Sequence, residues 1–200
     1  YGTELLGRRL QLVVSLERGD IDAVAAGMQA FARLADRLRQ PRFQWYARLW
    51  RAALATMRGR FEEQEAWATE AESLGRAAGS ANAPILVFTH RWLTWVETGE
   101  TERALAYADA HAPPGTWAEW GPQMLPWFAQ RALIAYRPEE ARAVLDGAGD
   151  SLRSLGRDSE WLTTMAHVAD ACFRLGSHPL AAWLYNGMEP FATLWAVDGI

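Results

Sequence analysis

Apolar residues in this chain fall into short runs at three- and four-residue spacing, and polar turns separate the runs at regular intervals. Leu5, Leu6, Leu10, Val13, Val14 and Leu16 predict a first helix over about Thr3–Arg18. Val24, Met28, Phe31, Leu34, Ala35 and Leu38 predict a second behind Asp20, an N-cap residue, with Pro41 closing it. Tyr46, Leu49, Trp50, Ala53, Leu54 and Met57 form a third stripe. Phe61, Ala68, Ala71, Leu74 and Ala78 form a fourth behind Glu62-Glu63, acids that suit a helix start. Ile85, Phe88, Trp92 and Trp95 follow, then a short helix Glu102–Ala110 capped by Thr101 and broken at Pro113-Pro114-Gly115. A segment opening near Thr116 contains Pro122 and Pro126, so its helix starts late or kinks. Pro138-Glu139-Glu140 is a favourable first turn, Asp158 or Ser159 caps the next helix, and Ser177 and Pro179 start the one that carries Ala181, Leu184 and Tyr185.

The turns repeat. Gly19-Asp20-Ile21, Gly59-Arg60-Phe61, Gly99-Glu100-Thr101, Tyr136-Arg137-Pro138 and Gly176-Ser177-His178 lie 40, 40, 37 and 40 residues apart. A fixed period in this range indicates stacked helical hairpins. Five residues after each turn residue stand Val24, Gln64, Ala104, Ala141 and Ala181; four before it stand Ser15, Ala55, Trp95, Ala132 and Cys172. Mostly small side chains at both places let paired helices approach closely. Trp95 breaks the rule, through either a wider crossing or a slipped alignment. The expected fold is all-α, a right-handed superhelical solenoid of about five hairpins over residues 3–40, 42–79, 82–112, 116–148 and 158–189, with a further repeat begun at 190–200. Neither end carries the polar cap of a finished solenoid, which makes the chain a segment of a longer protein. The apolar end Phe191–Trp195 is expected to fold back on the fifth hairpin or to self-associate.

Here the residues resemble a family. The turn glycine, the residue after it and the small side chains at these offsets look like tetratricopeptide-type repeats stretched to about 40 residues. A second resemblance covers about Leu155–Phe191. The run Arg157-Asp158-Ser159-Glu160-Trp161-Leu162, followed by Ala166, Ala169, Leu175-Gly176, Ala181-Ala182, Leu184-Tyr185 and Glu189-Pro190-Phe191, resembles late repeats of large actinobacterial signal-transducing regulators. Those proteins join an ATPase module to helical repeats and often to a LuxR-type DNA-binding domain; some relatives carry a nucleotide-cyclase domain instead. The resemblance implies a sensor or assembly segment whose partners include such domains of the same chain.

Composition narrows the chemistry. No run is long enough to span a membrane. A lone Cys172 excludes an internal disulfide and fits the cytoplasm. The chain has no Lys, so a standard P-loop is impossible. Residues 1–60 hold 11 Arg against 5 acids, whereas 61–200 hold 9 Arg against 19 acids. Solvated helix faces account for this imbalance, or one end docks on an acidic partner. A net charge of −4 argues against direct nucleic-acid binding. Metal-ligand spacings and glycine-rich phosphate loops are missing, and Glu62, Glu63, Glu65, Glu70 and Glu72 read as a solvated face. His167 stands one turn before Asp170 and could pair with it; no nucleophile accompanies them. We expect no catalytic residues, no cofactor and no metal.

The aromatic residues supply the binding candidates. Nine of 11 Trp fall on first helices of pairs or on the sixth beginning, Trp117 and Trp120 among them. Trp45, Trp92, Trp95, Trp127 and Trp161, with Arg48, Arg51, Arg91 and Arg131, would line a concave groove for a protein partner or a small-molecule effector. Packing between repeats is the competing reading of the same residues. The chain therefore reads as a non-catalytic binding segment of a transcriptional regulator, with a free-standing adaptor for extended peptides as the alternative.

Overall fold

The computed structural model describes residues 2–111 and 124–198. Among them there are ten α-helices and no strand. Pro113-Pro114-Gly115, Thr116, Trp117, Trp120 and Pro122 lie outside the described residues. The protein is all-α. No helix is long and apolar enough to cross a membrane among the described residues. Two compact units make up the chain, residues 1–98 with 197–200, and residues 99–196.

The first unit contains α1 (Gly2–Glu17), α2 (Ile21–Leu38), α3 (Pro41–Met57), α4 (Phe61–Ala77) and α5 (Asn82–Glu97). Each helix packs on the next, and α3 also meets α5. Helix α3 is apolar on two faces, and this sets the layering. Ala47 and Trp50 join Leu5, Leu12, Leu16, Val24, Met28 and Phe31 of α1 and α2, with Val197 packed alongside. Trp45, Leu49 and Ala52 join Ala68, Ala71, Ala83 and Val87 of α4 and α5. A helix that is apolar nearly all round belongs between others.

The second unit contains α6 (Thr101–His111), α7 (Leu125–Ile134), α8 (Pro138–Arg153), α9 (Trp161–Arg174) and α10 (Leu180–Met188), followed by a single 3-10 turn, Glu189–Phe191. Helix α7 packs on α8 and α9, and α9 on α10. Ala129, Ala132, Ala141, Leu145, Leu152, Met165, Val168, Leu180 and Leu184 form its core.

The turns explain why the helices stop where they do. Gly19, Gly59, Gly99 and Gly176 all have φ between 68° and 77°, a left-handed conformation that glycine adopts without a Cβ penalty. The N–H groups of Asp20, Arg60 and Arg137 reach back to the carbonyls of Ser15, Ala55 and Ala132 at 2.9, 2.9 and 2.8 Å. These bonds close the helix ends in the Schellman manner. Gly79 closes α4 in the same way, with Ser80 N–H on the Gly75 carbonyl. Tyr136 occupies the corresponding place at φ 57° with an exposed ring. Since the left-handed region costs a non-glycine residue roughly 1–2 kcal/mol, Tyr136→Gly is expected to raise stability by about 1 kcal/mol in urea melts. An unchanged midpoint would mean that this turn is not strained.

Several local expectations change. Asp20 does cap α2, accepting from Ala23 N–H at 3.0 Å. Pro41 instead opens α3; α2 ends earlier, where Arg39 turns left-handed at φ 50°. Asp158 accepts from Glu160 N–H one residue ahead of α9 and so shapes the approach without capping the helix. Val24, Gln64, Ala104 and Ala141 are buried as the small-residue pattern requires, but Ala181 is exposed and Leu180 is buried in its place. The cause lies in the turn. Helix α10 begins four residues after Gly176, whereas the earlier partners begin two after their turn residue. His178, buried, fills the gap: its Nδ1 accepts from Leu180 N–H at 3.2 Å and its Nε2 faces Asp146 Oδ1 at 3.1 Å. The described part of 190–200 starts no helix. Pro190 sits in the 3-10 turn, and Phe191 lies against Trp161 with ring centroids 5.5 Å apart.

Candidate functional site

The tryptophans expected to line a groove are packed instead. Trp45, Trp92, Trp95, Trp127 and Trp161 are all buried. Trp45 stacks on Tyr46 at 3.7 Å, Trp92 on Phe88 at 6.3 Å, and Trp127 meets Phe128 edge-on at 5.5 Å. Trp45 packs among α3, α4 and α5 and Trp161 joins the core of the second unit, and little of any of the five rings is exposed to a ligand. Helix α3 meets both α4 and α5, and α7 meets both α8 and α9, so large aromatic rings on these helices are drawn inward.

The arginines that accompany them are engaged from within the protein, although Arg131 Nε is buried without a hydrogen-bond partner. Arg91 is buried on α5. Its guanidinium donates to Glu65 at 3.0 Å, to Glu72 at 2.9 Å and to the Thr69 hydroxyl at 3.1 Å, all on α4. Arg48 of α3 bridges Asp36 of α2 at 2.8 Å and Glu70 of α4 at 2.9 Å. Burial alone would lower the Arg48 pKa, but the hydrogen bonds it donates to Asp36 and Glu70, with the charges of those carboxylates, hold it above its ordinary value. Arg51 lies over the Trp67 ring at 4.7 Å, and Arg131 pairs with Asp109 of α6. Glu65, Glu70 and Glu72 are therefore not merely a solvated face; they clamp α4 to its neighbours.

His167 and Asp170 do share one site, joined by Gln130 of α7. The Gln130 amide approaches His167 Nδ1 at 3.0 Å and donates to Asp170 Oδ2 at 3.2 Å, while Arg174 donates to the same carboxylate at 2.9 Å. An amide and a guanidinium on Asp170 make this a crosslink between α7 and α9. Among the described residues no group of three or more His, Cys, Asp or Glu is placed to hold a metal.

An open apolar surface lies elsewhere, in a cleft of about 720 Å³ formed by α9, α10 and the segment after them. Leu162, Ala166, Ala169 and Phe173 lie three and four residues apart on α9, so one apolar stripe faces the opening. Ala181, Leu184, Tyr185 and Met188 repeat the spacing on α10. Alanines at 166, 169 and 181 leave the space unfilled. Phe173 and Tyr185 stand at the rim with 83% and 70% of their surface exposed. Leu194 also lines the cleft, and Glu189 contributes the one carboxylate among the lining side chains. Arg157 lies over Trp161 and Phe191 at 5.1 and 5.5 Å, which pins the segment that carries Glu189 and Leu194. Cys172 lies in the wall; burial pushes its thiol pKa up, so it stays protonated and weakly nucleophilic at neutral pH.

Sequence periodicity missed this cleft because the residues that make it are small or read as ordinary core. No protein-family model matches the chain, and neither a curated protein nor a solved structure matches it significantly.

Proposed function

We propose that this chain is a non-catalytic binding and assembly segment, a right-handed solenoid of tetratricopeptide-like hairpins, from a multidomain transcriptional regulator. The observation that carries binding is the α9–α10 cleft. Its volume, apolar walls and few polar groups suit a ligand-sized or side-chain-sized apolar body. The solenoid reading is supported by the left-handed turns at Gly19, Gly59, Gly99, Tyr136 and Gly176, which recur near a 40-residue period. The regulator reading is supported by the resemblance over Leu155–Phe191, which implies ATPase, DNA-binding or cyclase modules as neighbours in a cytoplasmic protein. With the candidate tryptophans buried, the cleft is the binding surface proposed in place of the concave groove.

Nile red, neutral and apolar, tests the cleft directly. The parent chain should bind it at one saturable site with a blue-shifted emission. Phe173→Glu, an exposed position, should abolish that signal while helix content and melting temperature hold. Absence of saturable binding, or binding indifferent to Phe173→Glu, would remove the cleft as the functional surface.

A further inference from the structure

Six of the ten large apolar side chains that stand exposed among the described residues fall in two places; Met57, Phe61, Tyr136 and Trp195 are the others. Leu6, Leu10 and Val14 form a row on α1, each at least half exposed. Phe173, Tyr185 and Leu194 border the α9–α10 cleft. The α1 row stands beside a shallow hollow that Leu10 and Val14 border with Leu12, Ala23 and Gly27, and the second place is a recess. Residues four apart on a helix stack into a ridge, and Leu6 to Val14 spans about 12 Å at 1.5 Å per residue. The apolar stripe from Leu162 to Phe173 spans about 16 Å along α9 by the same rise. The ridge therefore fits within the length of the recess.

Charge runs the same way. Arg18, exposed, continues the row one step beyond Val14, and Glu189, exposed, stands in the lining of the cleft. An apolar ridge that ends in a cation thus has its counterpart in an apolar recess edged by a carboxylate.

Resting on the binding-segment reading above, we propose that the occupant of the cleft is a second copy of this chain, which inserts the Leu6–Leu10–Val14 ridge of its α1 and sets Arg18 against Glu189. The contact joins two different surfaces, so it is heterologous. Each copy keeps one unused ridge or recess, and association proceeds to rings or open strings and not only to a symmetric pair.

Sedimentation of the full 200-residue chain over a concentration series tests this. The weight-average mass of the parent should rise with concentration past that of a dimer. Leu10→Arg destroys the ridge and Phe173→Glu the recess; each variant alone should be monomeric. Mixed in equal amounts they should form a heterodimer, about doubling the mass, because each retains the face the other lacks. Arg18→Glu and Glu189→Arg should each weaken association, and the two together in one chain should restore it. If Leu10→Arg lowers helix content, Leu10→Gln takes its place. A parent that is monomeric throughout overturns the proposal, as does a Leu10→Arg variant that associates like the parent. If such a monomer still binds Nile red through Phe173, the second copy alone is refuted and the binding segment stands; loss of both refutes both.

Discussion

Trp45→Ala and Trp92→Ala should each lose about 3–5 kcal/mol of stability, the range for deleting a fully buried aromatic ring. Trp45 is 1% exposed and packs with Leu49, Ala68, Ala71 and Ala83, so its removal leaves a cavity walled by three helices. Small alanines cannot reach in to refill that space, which places the loss toward the upper part of the range. Trp92, also 1% exposed, loses its stacking on Phe88 as well. Domains hold only about 5–15 kcal/mol in all, so either variant should unfold at much lower urea than the parent. If these rings lined a groove, truncation would change stability by a few tenths and spare the melt. An unshifted urea midpoint would therefore restore the groove reading.

The elements were legible because they rest on strong local rules. A left-handed turn after a helix favours glycine, and Gly19, Gly59, Gly99 and Gly176 stand where the backbone takes that conformation. Small side chains at Ala55, Ala104, Ala132 and Ala141 are buried because two backbones draw close there. The last copy slipped for a specific reason: His178-Pro179 delays α10, and Leu180 moves into the place assigned to Ala181. Spacing could not reveal this, since the capping bond from Leu180 N–H to His178 Nδ1 depends on a side-chain orientation.

The site was far less legible. Helical spacing shows which residues share a face of α3 but not what that face meets. Trp45 and Trp50 sit on two faces, and both are buried. The arginines misled for a related reason. Arg48 and Arg91 find Glu70, Glu65 and Glu72 about 20 residues away on the facing helix, so pairing depends on which rungs of two helices align. The cleft was invisible because it is made by what is missing: alanine at 166, 169 and 181 where a larger side chain would fill the space.

Replacing glycine with alanine inside a helix ordinarily gains up to about 1 kcal/mol. Two glycines here should respond in opposite directions. Gly147 lies exposed on α8, with no atom within 4 Å of a Cβ built there, so Gly147→Ala should stabilise by about 0.5–1 kcal/mol. Gly75 lies where α4 meets α5. A Cβ on Gly75 collides with the Cβ of Ala83, and the Trp45 ring stands behind it at 3.8 Å. The obstacle is the root of a side chain on a packed helix, not the tip of a flexible one, so relief requires α5 to move. Overpacking of this kind costs about 1–3 kcal/mol, outweighing the helix-propensity gain, and Gly75→Val should cost more. The collision also names its own rescue. Adding Ala83→Gly to Gly75→Ala exchanges the two side chains across the contact and should recover most of the loss, a coupling that a double-mutant cycle in urea would read directly. If Gly75→Ala melts at or above the parent, or if Ala83→Gly fails to rescue it, then α4 and α5 do not approach through this pair.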